Sequence, residues 1–369
     1  MNKLNFFEEI TEGNTNIFVY KTKSDSKGPS SKQGVPFYNP TMQLNRDISI
    51  LVCQQLLINS SKRKMILLDG LAASGIRGVR LANELVGDFE VVINDWDEKS
   101  YNLIEKNIEK HNFKNIKACN RNLNVLLSES KFDYIDVDPF GSPVGFIDST
   151  LRSIKNGGII ACSATDTATL CGVYPKVCIR RYGAVPFYSE VMKEIGLRIL
   201  LGFICRVAGV HDKGIEPILC YSTDHYFRVY AKVNSSISIA NQSMNNFKII
   251  HSNENIGIQK TKNNIGPMWL DKFGDKKTIG EILNIVSSKK LGCKNQIYRL
   301  LDILEEEAYA PTFFYTTESI ASFLKKSSPR MDLLFKNLKK QGYNVYRTHF
   351  SPTGFKTNAS INIIEKMFK

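Results

Sequence analysis

"MILLDGLAASGIRGVR" (Met65–Arg80) carries the clearest mark of architecture in this 369-residue chain. Met65–Asp69 is a short apolar run ending in an acid and a glycine, the pattern of a buried strand. A helical pattern follows through Ile76, Val79, Leu81 and Leu85. The turn between them is rich in glycine. Such strand-to-helix turns bring backbone N–H groups close to a ligand, and the helix N-terminus favours negative charge. A phosphate loop needs G-x-x-x-x-G-K-[ST]; Gly70 and Gly75 fit, but Ile76-Arg77 replace the lysine and the hydroxyl. The dinucleotide fingerprint G-x-G-x-x-G fails as well, because Gly70 and Gly75 stand five apart. What remains is an acid (Asp69), a loose loop and a glycine, which suits a nucleoside ligand without phosphate.

Outward from this turn the elements alternate. "EVVIND" (Glu90–Asp95) reads as a second strand and Glu98–Lys110 as an amphipathic helix. "NIKAC" is a third strand, "FDYIDVD" a fourth and "GGIIACSAT" (Gly157–Thr165) a fifth, after a helix over Phe146–Ile154. Spacing is helical again from Pro186 to Val210, where Ile199–Cys205 is the longest apolar patch and reads as a buried helix. "IEPILCYSTDHYFRVYAKV" then forms a strand pair turned around Thr223-Asp224. Strands alternating with helices imply right-handed crossovers and a doubly wound parallel sheet. A closing hairpin is the habit of the seven-stranded class I S-adenosylmethionine methyltransferase sheet. The expected fold class is therefore α/β, with that sheet and a smaller C-terminal α+β domain.

Residues 21–36 are polar with Gly and Pro and read as a loop or flexible arm. The polar stretch 234–246 reads as the domain boundary, giving a catalytic domain over 1–233 and a second domain over 234–369. The latter carries helical patterns over Ile279–Val286, Asn295–Glu307 and Met331–Gln341 and an extended segment over Tyr343–Phe350. This is a small α+β or winged-helix-like module.

At 43% hydrophobic residues the composition is that of a globular protein, and no apolar run reaches the roughly 18 residues of a membrane span. None of the eight cysteines is spaced as CxxC, so the thiols read as small buried hydrophobes in an intracellular, cytoplasmic chain without metal. The net charge is +13, and residues 234–369 hold 20 Lys and Arg against 11 Asp and Glu, a net +9. Such an excess points to an anionic partner, nucleic acid first, although a lysine-rich proteome would also raise it. No obligatory protein partner is evident.

Asp95 ends the second strand, where an acid can hydrogen-bond both ribose hydroxyls of a cofactor. An acid there without pyrophosphate glycines favours S-adenosylmethionine over a dinucleotide. Capping of the following helix is the competing reading, which Asp97 could equally serve.

"FYNPTMQLNRDISI", "DGLAASGIRGVR", "IDVDPFGSP", "SATDTATLCG", "RYGAVPF", "DHYFRVYAKV" and "RTHFSPTGFKT" stand in an order that resembles the tRNA (guanine26-N2)-dimethyltransferases of archaea and eukaryotes. The resemblance runs from about Thr11 to the C-terminus, and the chain resembles the shorter, archaeal-sized members. It implies an enzyme that moves one or two methyl groups from S-adenosylmethionine to the N2 of guanine 26 in tRNA. Arg46 and Arg77 resemble positions around the methionine carboxylate, with Asp47 available to pair with Arg46. Asn122-Leu123-Asn124 stands where the family has Asp-Ala-Asn, so Asn122 and Leu123 are expected at the cofactor, Asn122 facing the adenine amine as an amide acceptor. Many archaeal relatives carry a cysteine quartet early in the C-terminal domain; 234–290 holds no cysteine, so zinc is not expected.

The lone pair of guanine N2 is delocalised into the ring, so the amine must be held in line with the methyl group and lose a proton as it attacks. "DPFG" (Asp138–Gly141) supplies the parts. Asp138 orients and deprotonates, Pro139 fixes the backbone, and Phe140 offers a stacking face worth about 1–3 kcal/mol per base. Related amino-methyltransferases use Asp/Asn-Pro-Pro-Tyr/Phe here. A helix-capping role for Asp138 competes, and Asp136 reads as a holder of loop amides. By resemblance Phe37 is the second face of a base sandwich, with a place in the core as the competing reading. In the basic C-terminal domain Arg347, His349 and Lys356 are candidates to grip the tRNA backbone, with a structural role in the turn as the competing reading. The rival readings are a DNA or rRNA amino-methyltransferase and a catalytically inert RNA-binding module.

Overall fold

The computed structural model describes residues 6–21, 36–60, 63–223 and 225–368. Nearly all of the polar segment 21–36, and Asp224 of the expected hairpin turn, lie outside the described residues.

A hairpin of β1 (Phe7–Glu12) and β2 (Thr15–Tyr20) precedes helix α1 (Gln43–Ile58). Then the expected alternation begins: β3 (Met65–Asp69), α2 (Ile76–Glu84), β4 (Phe89–Asn94), α3 (Glu98–His111), β5 (Ile116–Cys119), α4 (Leu123–Glu129), β6 (Phe132–Val137), α5 (Val144–Ser153) and β7 (Ile154–Ala164). Helices α6 (Thr167–Leu170), α7 (Pro175–Tyr182) and α8 (Met192–Val210) lead to the antiparallel pair β8 (Lys213–Ser222) and β9 (Phe227–Ser235). Seven strands form one sheet in the order β5-β4-β3-β6-β7-β9-β8.

From β3 the chain winds one way through β4 and β5, then returns to place β6 on the other side of β3. The pairs β3·β4, β3·β6, β4·β5 and β6·β7 are all parallel. The order therefore reverses between β3 and β6, and ligands of open α/β sheets bind at such a switch point, outside the carboxyl ends of the strands. Leu67, Leu68, Val91, Ile93, Tyr134 and Ile135 are buried, as expected of strands covered on both faces. Helix α2 can lie close on β4 because residue 78 is glycine: a Cβ there would come within 2.4 Å of the Ile93 side chain.

The hairpin β1–β2 and helix α4 are absent from the sequence reading, and the helix expected from Pro186 starts at Met192. α4 is seven residues long and gives too short a period to register.

By compactness the chain forms two units, Met1–Ser163 with Gly280–Arg299, and Ala164–Ile279 with Leu300–Lys369. The polar stretch 234–246 lies within the second of these units. It holds helix α9 (Ile237–Met244), whose Ser243 hydroxyl both accepts from the Ile215 amide (3.0 Å) and donates to the Ile215 carbonyl (3.1 Å) of β8. Helix α10 (Lys276–Val286) and helix α11 (Lys294–Glu307) follow. The second unit ends in a module of three short strands, Tyr315–Thr316, Val345–Arg347 and Gly354–Thr357, with helices α12 (Thr317–Leu324), α13 (Met331–Lys340) and α14 (Ile361–Glu365). Ile199–Cys205 lies in α8 and is buried, and six of the eight cysteines are buried. Among the described residues no helix is long and apolar enough to cross a membrane.

Candidate active site

The carboxyl ends of β3, β4 and β5 carry the polar groups that the sequence singles out. Asp95 follows β4 and is buried; its Oδ2 accepts from the Ala73 amide (2.8 Å) and its Oδ1 from the Asp97 amide (3.0 Å). Asp97 caps α3 through the Ser100 amide (2.9 Å), so Asp95 is not that cap. Burial raises the pKa of Asp95 above the usual carboxylate range, against the lowering effect of the amide hydrogen bonds. The loop after β3 bends round this acid with Ala73 and Gly75 both at positive φ (49° and 79°). Asn94 fixes the rim: its Nδ2 donates to the carbonyls of Gly70 and Arg121, each at 3.0 Å. Asn122 is exposed and caps α4, its Oδ1 accepting from the Asn124 amide (3.0 Å) with a lone pair left. Leu123 is buried under Gly70, where a Cβ would come within 3.0 Å of its methyl groups.

Arg77 organises the next tip. It donates to Asn45 Oδ1 (2.8 Å) and Ser49 Oγ (2.6 Å) of α1 and forms an ion pair with Asp138. Asp136 (3.5 Å) and Asp69 (4.0 Å) also face the guanidinium. Three carboxylates thus surround one cation. Burial pushes Asp69 up to about 7, opposed by Arg77 and reinforced by the charges of Asp136 and Asp138. Asp136 is fully buried and accepts from the Tyr134 hydroxyl (2.6 Å). Asp133 sits at the other end of β6, paired with Arg63 (2.6 Å) and Lys155 (2.9 Å). Of the three acids in "FDYIDVD", only Asp138 reaches the rim, with 18% of its side chain exposed. It does not cap α5, whose N-cap position is Pro143. Its Oδ2 is held by Arg77, which leaves Oδ1 as an acceptor at the rim.

Phe140 is 62% exposed and Phe37 is half-buried, with ring centroids 6.4 Å apart and planes tilted by 43°. A base between two rings needs roughly 7 Å, twice a carbon–carbon contact of about 3.5 Å. A small opening and a turn towards parallel would admit one. Phe37 is placed by its neighbour: the Tyr38 hydroxyl donates to Glu12 Oε1 (2.7 Å), and Glu12 binds Arg46 through Nε (2.9 Å). The expected Arg46–Asp47 pair does not form. Adjacent residues on a helix do not face each other, so Arg46 pairs with Glu12 and Asp47 with Arg80 (2.7 Å). Glu12 is the residue that the sequence reading missed; a single acid at the end of a six-residue strand gives no pattern.

His349 and Lys356 are not where a tRNA phosphate could reach them. Within the second unit the His349 Nδ1 lies 2.6 Å from Glu307, and Lys356 lies 3.0 Å from Glu194 and 3.1 Å from Glu307. Their side chains are 2% and 1% exposed. Two carboxylates buried there demand cations, so these residues serve the fold. Arg347 stays partly exposed, 3.6 Å from Asp332.

The donor set suits a nucleoside cofactor without phosphate: an acid for a ribose, an exposed amide for a base edge, and a glycine turn lacking the lysine of a phosphate loop. With the sheet order, it defines a class I S-adenosylmethionine-dependent methyltransferase. Residues 13–369 match the family model for N2,N2-dimethylguanosine tRNA methyltransferase. The tRNA (guanine(26)-N(2))-dimethyltransferase of Pyrococcus furiosus is 37% identical, over 98% of each chain, and that of Methanobrevibacter smithii is 36% identical, over 90% of this chain and 91% of the relative. The solved structure of Trm1 from Pyrococcus horikoshii with S-adenosyl-L-methionine is similar at a TM-score of 0.86 and 35% identity, over 98% of this chain and 100% of that one. The chain belongs to the N2,N2-dimethylguanosine tRNA methyltransferase family.

Proposed function

We propose that this protein transfers one or two methyl groups from S-adenosylmethionine to the exocyclic N2 of guanine 26 in tRNA, in the cytoplasm. The observation that carries the chemistry is Asp138, a rim carboxylate with one oxygen fixed by Arg77 beside two aromatic rings 6.4 Å apart. Phe37 and Phe140 grip a guanine taken out of its stack, which costs a few kcal/mol. Asp138 accepts the N2–H through Oδ1, orients the amine and takes its proton as it attacks. The cofactor supplies an electrophilic methyl group on a sulfonium. Asp95 would hold its ribose, Asn122 the adenine edge over Leu123, and Arg46 and Arg77 the methionine carboxylate, with Asp69 beneath the glycine turn. Arg77 then serves both sides, since the same guanidinium fixes Asp138. In this reading 1–233 perform the chemistry, and the tRNA is gripped from a surface within 234–369.

Incubating the protein with S-adenosylmethionine and an unmodified tRNA transcript, then analysing nucleosides by mass spectrometry, tests this. N2-methylated guanosine is expected with guanine at position 26 and not with adenine there. Methylation of DNA or rRNA, with tRNA untouched, would favour the rival amino-methyltransferase; no methylation at all would favour the inert RNA-binding module.

A further inference from the structure

The C-terminal module has a definite topology. Strand Tyr315–Thr316, helices α12 and α13, then strands Val345–Arg347 and Gly354–Thr357 follow one another, and Gly354–Thr357 lies antiparallel between the other two. This is the order of a winged helix, a helix-turn-helix closed by a small sheet, with 348–353 as the wing. Ile320, Leu334, Leu338, Val345 and Phe355 are buried together, so α12, α13 and the strands share one core. In helix-turn-helix modules the second helix meets the nucleic acid. Here that helix is α13.

Its outward face is basic. Lys336, Lys339 and Lys340 are exposed and, with Phe335 and Asp332, line an open groove. They are three and four residues apart, hence neighbours on one face over about 6 Å of helix. Arg330, Lys325 and Lys326 are exposed just before α13. Arg347 lies over the Phe335 ring (5.3 Å) and near Asp332 (3.6 Å), tying the wing strand to the same face. The charge is local: residues 311–369 hold ten Lys and Arg against three Asp and Glu, a net +7, whereas 234–310 hold ten against eight. A proteome-wide lysine bias would not place the excess on one module. The alternative role of helix-end lysines, favourable charge at the negative end of the dipole, applies to Lys339 and Lys340 but not to Lys336 in mid-helix.

We infer that α13 lies along the phosphates of an RNA stem, with Lys336, Lys339 and Lys340 as the backbone contacts and Arg347 supporting them from the wing strand. The major groove of A-form RNA is too deep and narrow for side chains to read. The contact is therefore to backbone and shape, which suits an enzyme whose base selection takes place elsewhere. This rests on the proposed tRNA substrate and assigns its grip to a surface other than His349 and Lys356.

The test is the full-length variant K336A/K339A/K340A against a control, K248A/K260A/K262A, that removes three exposed lysines elsewhere in the second unit. Binding of a tRNA transcript is measured across salt, with methyl transfer at saturating tRNA. Loss of three duplex phosphate contacts should flatten the log–log salt slope by about 2–3. Affinity should fall at least about tenfold near 0.15 M salt, with transfer at saturation within about twofold of wild type, and the control should match wild type. If the α13 variant keeps the wild-type slope and affinity, or the control loses as much, the surface assignment is wrong. If the wild-type protein itself fails to methylate tRNA, the proposed function falls instead.

Discussion

Replacing Asp138 by Asn removes one charge and leaves the shape. The Arg77 guanidinium is largely buried and keeps Asn45, Ser49, Asp136 and Asp69 around it, so the variant should fold and α1 should stay docked. The amide oxygen will turn to Arg77, where Oδ2 now sits, because Arg77 can only donate. That turns the NH2 group towards the guanine amine, donor against donor. The chain then lacks both the acceptor that orients N2–H and the base that takes its proton. Loss of a general base costs 10²–10⁴-fold, or about 3–5 kcal/mol in the barrier. Transfer to saturating tRNA should fall at least about 10²-fold, while S-adenosylhomocysteine, measured by calorimetry, should bind within about threefold of wild type. Single-turnover transfer at the wild-type rate would rule out a role as base and leave Asp138 as a partner of Arg77 alone.

Asp95→Ala should weaken S-adenosylhomocysteine binding by about 1.5–3 kcal/mol, the worth of hydrogen bonds to a charged group; unchanged affinity would remove Asp95 from the cofactor. Phe140→Ala, at a side chain 62% exposed, should leave the unfolding temperature alone and cost about 1–3 kcal/mol in kcat/KM for tRNA; an intact kcat/KM would exclude stacking there. In the second unit, burial alone would raise the Glu307 pKa, but Lys356 and His349 outweigh it and hold the carboxyl well below its usual range. A folded pKa below the unfolded one stabilises the protein above about pH 4.3 and loses that stabilisation as pH falls through it. Glu307→Gln should therefore lower stability by about 3 kcal/mol at pH 7, since Lys356 keeps Glu194, and should flatten the stability–pH curve below about pH 5. Parallel curves for the two proteins would contradict the cluster's electrostatics.

The sheet is legible because most strands from Met65 to Cys162 are compact apolar runs beside helices of clear period, β5 and the seven-residue α4 being the exceptions. The tip residues Asp95 and Asp138 stood out as acids where apolar strands end. Less legible was anything fixed by partners far apart in the chain. Nothing near Arg46 in sequence points to Glu12, 34 residues earlier, and nothing near Lys356 points to Glu194, 162 residues earlier. Lysines and histidines in a basic segment look alike whether they face solvent or a buried carboxylate. His349 and Lys356 consequently read as RNA contacts, whereas α13 read only as a helix. The Asp47–Arg80 pair was hidden by a closer and more obvious neighbour, Arg46.

Whether the exocyclic amine of guanine 26 is the methyl acceptor is answered by a tRNA transcript carrying inosine at position 26. Inosine keeps the purine face and the rest of the tRNA but lacks N2. This transcript should bind about as well as the guanine one and accept no methyl group from S-adenosylmethionine. Methylation of the inosine transcript at the guanine rate would contradict this assignment, because the acceptor atom would then lie elsewhere.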